Sequence, residues 1–373
     1  MAINRERVAM SKALLAMEDG TVVKGEGIGA EGVSKGELVF TTTFTGYEEA
    51  LTDPSYKGQN LLFTYPLIGN YGIQGENPQS DSIKAEALVA REVYSTPDHA
   101  KSNESIDRYL TRNGSRGITG VDTRELTLMI RKQGTVKSAI AVGDYDEEEV
   151  LELAKNQLPI TERDLIPHVS TGEIEVMEGD GPRLAVIDTG IKRSILANLR
   201  DRKFEIVLLP YDVELETVKG FDPDGIFFTN GPGDPKRARG PLEVVRSFLG
   251  DVPMFGICFG TQILSLALGG ETYKLKFGHR GANQPVKNHD TEIVSITAQN
   301  HGFAVDENSL AGTGLEVTET NAIDGTVEAV ESEDHDIFAV QYHPEASPGP
   351  RDNEEGFFDR VQRTVRRSYA ETS

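Results

Sequence analysis

The stretch GICFGTQIL (residues 256–264) decides how the second half of the chain folds. An apolar run ends at its first glycine, and an apolar run with helical spacing follows its cysteine. The pattern G-x-nucleophile-x-G is typical of a tight strand-to-helix turn, whose glycines let the backbones approach closely. The turn places Cys258, the only cysteine among 373 residues, at a helix N-terminus, where unpaired N–H groups favour the thiolate. We predict a nucleophile here; a buried structural cysteine is the alternative.

The sequence around this turn alternates between strand-like and helix-like segments. RLAVIDTG (183–190), FEIVLLP (204–210), GIFFTN (225–230) and VPMFGIC (252–258) read as strands, and amphipathic segments separate them. Such alternation predicts a doubly wound, mostly parallel α/β sheet. The apolar runs after residue 290 follow one another more closely, which predicts antiparallel strands.

The first half of the chain has a β-rich character with many turns. Within it, DTRELTLMIRKQG (122–134) predicts a helix that Asp122 caps and Gly134 ends. Residues 170–183 are acidic and glycine-rich with few large apolar side chains, which indicates a domain boundary. We therefore expect a mixed, β-rich α/β domain over residues 1–170, a linker over 171–182, and the doubly wound domain over 183–373.

A candidate base lies in FAVQYHPEASPGP (338–350), where a strand leads to His343, Pro344 and Glu345. Alternate residues of an extended chain share a face, so Glu345 can bind one imidazole nitrogen while the other faces the sulfur. Pro344 stiffens the pair. Alone, His-Pro-Glu is typical of a surface turn. Together with the cysteine turn it predicts a Cys-His-Glu triad.

Another loop follows a strand in FFTNGPGDP (227–235). Gly231 and Gly233 flank a proline there and can present backbone N–H groups at the same edge of the sheet. On its own the loop would read as an ordinary turn.

Composition excludes several functional classes. With 60 acidic and 38 basic residues the net charge is −22, which disfavours nucleic-acid binding. The acidic excess is consistent with solubility through self-repulsion or with adaptation to a salty cytoplasm, and both explanations stay open. No apolar run approaches the ~18 residues of a membrane span. The charged N-terminal segment is unlike a signal peptide, and a single cysteine forms no internal disulfide, so we expect a cytoplasmic protein.

TNGPGDP, GICFGTQIL and QYHPE, in this order, resemble the class I (triad) glutamine amidotransferases across residues 183–373. In the first half, MEDGTVVKGEGIGAEG (17–32), TGYEEALTDPSYKGQNLLFTYPLIGNYG (45–72) and RGITGVDTRELTLMIRKQG (116–134) are similar to the small-subunit family of carbamoyl phosphate synthetases. DTGIKRSIL (188–196) and QNHGFAV (299–305) resemble that family too.

The resemblance implies roles for individual residues. Cys258 attacks the side-chain amide of glutamine and forms a glutamyl thioester, His343 acts as base and acid, and Glu345 orients His343. The backbone at Phe259 and Gly231 resembles the oxyanion and substrate loop. The positions that resemble the family's glutamine-binding residues are Ser55, Gly231, Gly233, Phe259, Gln262, Asn300, Gly302 and Phe303.

The chain departs from the family pattern after the cysteine, where Phe259-Gly260-Thr261 replaces a Leu-Gly-His stretch. The missing histidine lies outside the triad, so we expect catalysis to survive. We expect structural or surface roles for His279, His289 and His301, with His301 the best candidate for a helper.

The resemblance also implies a large-subunit partner. The sequence has no G-x-x-x-x-G-K-[ST] phosphate loop, so ATP and bicarbonate chemistry would belong to that subunit. Ammonia would pass to it internally, and the product would serve arginine and pyrimidine synthesis. We expect no cofactor in this chain and, since no Cys/His cluster has metal-ligand spacing, no metal.

Two other functions remain open. One is a non-catalytic regulatory or scaffold subunit, since a fold alone does not imply an activity; the intact triad residues argue against it. The other is a different triad enzyme, either another amidotransferase or a γ-glutamyl hydrolase. The family-like first half argues against that reading.

Overall fold

The computed structural model describes residues 11–372, with side chains described up to residue 370. The described chain divides into two compact units. Unit 1 comprises residues 11–52, 58–77 and 81–160, and unit 2 comprises residues 53–57, 78–80 and 161–372.

These units differ in detail from the domains expected from the sequence. Residues 161–170 were expected in the first domain but pack with unit 2, where Ile166 is part of a buried core. The expected linker contains an edge strand, Glu175–Met177, and the N–H of Thr171 donates to Asp188 at 2.6 Å. Backbone pairing and one core residue therefore attach this polar segment to unit 2.

Unit 1 is built around a closed barrel with the strand order β1-β2-β8-β6-β4-β3-β9. The strands of this unit are β1 (Lys12–Met17), β2 (Val22–Gly29), β3 (Gly32–Thr41), β4 (Gln59–Phe63), β5 (Leu67–Ile68), β6 (Ala87–Val89), β7 (Glu92–Val93), β8 (Arg116–Thr119) and β9 (Val136–Val142). Strands β5 and β7 form a separate two-stranded sheet. Its helices are α1 (Tyr47–Thr52), α2 (Ile106–Arg112), α3 (Thr123–Gln133) and α4 (Glu147–Lys155).

Helix α3 confirms the prediction for its segment. The Asp122 side chain accepts a hydrogen bond from the N–H of Glu125, and Gly134 follows the helix with a φ of 103°. The helix therefore begins and ends where its capping residues stand.

Unit 2 is built around one 10-stranded sheet with the order β10-β12-β11-β13-β14-β19-β18-β17-β15-β16. Its strands are β10 (Glu175–Met177), β11 (Arg183–Asp188), β12 (Glu205–Pro210), β13 (Gly225–Phe228), β14 (Met254–Ile257), β15 (Thr272–Asn288), β16 (Val294–Val305), β17 (Glu316–Asn321), β18 (Val327–Ser332) and β19 (Ile337–Val340). Its helices are α5 (Arg193–Asp201), α6 (Leu215–Gly220), α7 (Arg239–Ser247), α8 (Phe259–Ala267) and α9 (Glu354–Thr372).

The sheet of unit 2 confirms the predicted doubly wound α/β fold. Strands β12, β11, β13, β14 and β19 are parallel, and β18, β17, β15 and β16 continue the sheet with antiparallel pairs. Alternate residues of β11 enter two separate cores: Leu184 and Val186 pack with α5 and α9, while Ala185 and Ile187 pack with α6, α7 and α8. Both faces of the sheet are therefore covered by helices.

None of the helices in the described part of the chain combines the length and the hydropathy that crossing a bilayer requires.

Candidate active site

The carboxyl ends of four parallel strands of unit 2 bring the candidate residues to one edge of the sheet. Strand β11 leads to Thr189, β13 to Asn230, β14 to Cys258 and β19 to His343. Ligands of open α/β sheets bind at this edge. The predicted segments therefore meet although they are far apart in the sequence.

Cys258 occupies the sharp turn between β14 and α8. Its φ of 56° and ψ of −100° are uncommon for a residue with a side chain, and its N–H donates to the carbonyl of Val340 at 2.7 Å. A Cβ on Gly256 would lie 2.6 Å from the carbonyl carbon of Gly260, and one on Gly260 would overlap the carbonyl oxygen of Phe228. Both glycines of the motif are therefore required by close backbone contacts, as the sequence indicated.

The electrostatic surroundings of the sulfur differ from the expectation. Burial raises the pKa of the Cys258 thiol, the carboxylates of Asp53 and Glu345 raise it further, and the N–H of Phe259 lowers it. The helix N-terminus acts in the predicted direction through the N–H of Phe259, but desolvation outweighs it, so the net shift of the pKa is upward. The thiol instead donates to the carbonyl of Asn300, with a sulfur-to-oxygen distance of 3.7 Å.

His343 and Glu345 form the predicted pair. Nδ1 of His343 lies 2.7 Å from Oε1 of Glu345, and both side chains are buried. Because a carboxylate accepts, Nδ1 carries a hydrogen, and in the neutral ring the lone pair is on Nε2. Nε2 has no hydrogen-bonding partner among the described residues. This nitrogen is therefore available to take a proton.

Lys192, which sequence reasoning did not assign, completes the pair. Its Nζ lies 2.8 Å from Oε1 of Glu345 and donates to the carbonyl of Ala346 at 2.5 Å. Burial alone would raise the pKa of Glu345, but Lys192 and then His343 lower it to about 2. Glu345 is therefore a carboxylate at neutral pH.

Strand β16 links the sulfur to the histidine. Its Asn300 carbonyl accepts from Cys258, and its Ala298 carbonyl accepts from the N–H of His343 at 2.8 Å. Ala298 and Asn300 are alternate residues of one strand, about 7 Å apart. Cys258 and His343 are therefore held side by side along β16, with the thiol bound to Asn300 and not to the imidazole.

Two residues of the TDPSY segment, which belongs to unit 2, also reach this edge. The Asn230 amide donates to Oγ of Ser55, and the Asn300 amide donates to Oδ2 of Asp53, each at 2.9 Å. Ser55 is therefore placed beside the loop that follows β13. Asp53 and Asn230 had not been assigned.

The remaining glutamine-binding candidates occupy two loops and α8. Nε2 of Gln262 donates to the carbonyl of Phe303 at 2.8 Å and to Oε1 of Gln341 at 2.9 Å. A side chain at Gly231 would meet the carbonyl of Thr189 at 2.5 Å, which keeps this position a glycine. A Cβ at Gly233 would lie nearest to Leu165, and a Cβ at Gly302 would lie nearest to Arg280.

His301 does not contact the sulfur. Its Nδ1 lies 2.8 Å from the carbonyl of Phe303, and its Nε2 lies 3.1 Å from Oε1 of Gln299. Burial lowers its pKa well below the usual value for histidine. A neutral His301 thus supports strand β16 through these two contacts.

Comparisons with known proteins match both halves of the chain. Residues 185–361 match the family model "Glutamine amidotransferase class-I", and residues 15–140 match "Carbamoyl-phosphate synthase small chain, CPSase domain".

Several curated relatives carry the name carbamoyl phosphate synthase small chain. The relative from Methanosarcina mazei is 53% identical over 95% of this chain and 99% of its own length. Those from Methanopyrus kandleri and Listeria monocytogenes are 49% and 44% identical over 91% and 92% of this chain, and over 96% and 94% of their own lengths. The chain thus belongs to the carbamoyl phosphate synthase small chain family and is an amidotransferase of the glutamine amidotransferase class-I type.

Proposed function

We propose that this chain is the glutamine-hydrolysing subunit of a carbamoyl phosphate synthase. It converts L-glutamine into glutamate and ammonia through Cys258, His343 and Glu345. The observation that carries this proposal is the state of His343: one ring nitrogen is fixed by Glu345, and the other is unpartnered among the described residues and buried. A base that deprotonates a nearby thiol needs this arrangement.

In the first half-reaction, Sγ of Cys258 attacks the carboxamide carbon of glutamine while its proton moves to Nε2 of His343. The N–H groups of Phe259 and Gly231 receive the oxyanion that forms. His343 then returns the proton to the amide nitrogen, the C–N bond breaks, and ammonia departs. The glutamyl group remains bound to Cys258 as a thioester.

In the second half-reaction, water attacks the thioester and gives its proton to His343. The C–S bond breaks, glutamate leaves, and His343 returns the proton to the sulfur. Glu345 remains ionised throughout and stabilises the imidazolium that forms in each half-reaction. Because burial raises the pKa of Cys258, the proton transfer to His343 is what generates the nucleophile.

Glutamine is held by polar side chains and by backbone groups at the sheet edge. Its α-ammonium and α-carboxylate groups need donors and acceptors that an apolar pocket lacks. The residues proposed for this role are Ser55, Gly231, Gly233, Phe259, Gln262, Asn300, Gly302 and Phe303. None of these steps requires a cofactor in this chain.

The ammonia serves a large, ATP-dependent subunit that makes carbamoyl phosphate from bicarbonate in the cytoplasm, for arginine and pyrimidine synthesis. Delivery is internal, because free ammonia is protonated at neutral pH and is then not nucleophilic. The family membership of the chain supports this partner.

The deciding experiment measures ammonia release from glutamine by the purified chain, with and without the large subunit. We expect slow release by the chain alone, faster release in the complex, and none from Cys258→Ser. The Cys258→Ser complex should still make carbamoyl phosphate from added ammonia. Equal loss of glutamine-dependent and ammonia-dependent synthesis would count against the assigned role.

A further inference from the structure

Unit 2 contains a second cluster of buried ionisable groups that the proposed reaction does not use. It consists of His279 on β15, His301 on β16 and Glu328 on β18. One ligand atom from each residue lies within 4.8 Å of the others. The three side chains are buried, with His279 the most exposed at 8%.

One ring nitrogen of each histidine is held by an oxygen atom. Nε2 of His279 lies 2.9 Å from Oδ2 of Asp324, and Nδ1 of His301 lies 2.8 Å from the carbonyl of Phe303. Carboxylate and carbonyl oxygens accept hydrogen bonds, so these nitrogens carry the hydrogens. Metal-binding histidines are typically oriented by the same two kinds of partner.

The cluster contains two polar atoms whose hydrogen-bonding capacity is unused, one on His279 and one on Glu328. Nδ1 of His279 lies 3.7 Å from Oε1 of Glu328, which is too long for a hydrogen bond. This nitrogen and Oε2 of Glu328 have no hydrogen-bonding partner among the described residues. Oε1 of Gln299 lies 3.1 Å from Nε2 of His301. An amide oxygen and an imidazole lone pair are both acceptors, so a cation would satisfy them together.

We propose that His279, His301 and Glu328 form a structural binding site for Zn²⁺. Two imidazoles and one carboxylate are a donor set that zinc accepts, whereas Ca²⁺ and Mg²⁺ prefer oxygen ligands alone. The amide oxygen of Gln299 stands where it can supply the fourth ligand. On binding, the ligand atoms move closer together than they are in this structure, until the zinc–nitrogen distances are about 2.0–2.1 Å.

The charges around the cluster suit a dication. The carboxylates of Asp324 and Glu328 lie 2.9 Å and 3.7 Å from the two ring nitrogens of His279, so negative charge surrounds this side of the cluster.

The site lies beside the proposed glutamine-binding residues. The carbonyl of Phe303 accepts from His301 and also from Gln262. A metal on His301 would therefore fix this part of β16, and we expect it to raise the thermal unfolding temperature without taking part in the reaction.

The test titrates Zn²⁺ into chelator-treated protein in a Cys258→Ser background, which removes the only thiol as a competing ligand. We expect one zinc per chain with a Kd of about 1 µM or tighter and no comparable binding of Mg²⁺. Co²⁺ in the same site should give a tetrahedral visible spectrum without a sulfur charge-transfer band.

Matched variants locate the site. Glu328→Gln removes a ligand and should abolish binding, while Asp324→Asn, whose side chain is partly exposed, should weaken it by about 10–100-fold. The exposed His289→Asn is the control and should bind as before. No binding at about 100 µM Zn²⁺, or binding that neither cluster variant changes, would overturn the proposal. If Glu328→Gln fails to fold, Asp324→Asn decides.

Discussion

Nζ of Lys192 lies 2.8 Å from Oε1 of Glu345, the same oxygen that lies 2.7 Å from Nδ1 of His343. The side chains of Lys192 and Glu345 are 3% and 0% exposed, so solvent does not screen this ion pair. The lysine therefore fixes both the position and the charge of the carboxylate that orients the proposed base.

Replacing Lys192 with Gln should strongly destabilise the fold. Removing one partner of a buried ion pair leaves an uncompensated charge and typically costs about 3–5 kcal/mol of unfolding free energy. Denaturant titration of the purified chain measures this loss. Glutamine turnover should fall as well, since Glu345 no longer holds His343 in one orientation.

The control for this prediction is Lys219→Gln, which breaks an exposed pair with Glu216 and should cost about 1 kcal/mol or less. A double variant, Lys192→Gln with Glu345→Gln, should recover part of the stability because no charge is left buried alone. Equal effects of Lys192→Gln and Lys219→Gln would contradict the role of Lys192.

Glu345 should make the fold sensitive to acid. Its pKa is lowered from 4.5 to about 2 in the folded chain, so its stabilising contribution is complete above pH 4.5 and is lost as pH falls towards 2. Glu345→Gln has no such titration. The difference in unfolding temperature between the unaltered chain and this variant should therefore shrink as pH falls through this window, and a constant difference would contradict the prediction.

The sequence predicted those features of the site that depend on residues close together along the chain. The glycines that flank Cys258 predict its turn, and the alternation of side chains along an extended chain predicts the His343–Glu345 pair. The capping of α3 is equally local, with Asp122 and Gly134 at its two ends.

Long-range contacts set the features that the sequence did not reveal. No local pattern marks Lys192, which becomes distinctive only because the fold buries it beside Glu345. The raised pKa of Cys258 depends on burial and on the distant Asp53. Likewise, His279, His301 and Glu328 have no motif spacing and meet only because β15, β16 and β18 lie in one sheet.

Gly260→Ala should disturb the turn that carries the nucleophile. The new Cβ would overlap the carbonyl oxygen of Phe228, so α8 has to move away from β13. Overpacking of this kind costs about 1–3 kcal/mol, and a displacement of the sulfur by about 1 Å can lower turnover by about 10²-fold. Denaturant titration and glutaminase kinetics measure the two effects.

Gly220→Ala is the matched control for this change. It lies at the end of α6, where nothing stands within 4 Å of the added carbon, so the variant should be as stable as the unaltered chain or slightly more stable. If both alanine variants behave alike, the close approach at Gly260 is not what keeps that position a glycine.

The reactivity of Cys258 tests whether its thiolate is present at rest. Burial and the nearby carboxylates raise its pKa, and the residue is only 2% exposed. Iodoacetamide should therefore alkylate the folded chain at least about 10-fold more slowly than the denatured chain at neutral pH, and the rate should keep rising with pH up to about 9 without a plateau.

Because Cys258 is the only cysteine, mass spectrometry of the intact chain follows the reaction directly. Cys258→Ser, which should gain no adduct, controls for alkylation elsewhere. A fast, pH-independent reaction between about pH 6 and 8 would show a preformed thiolate instead and would contradict this prediction.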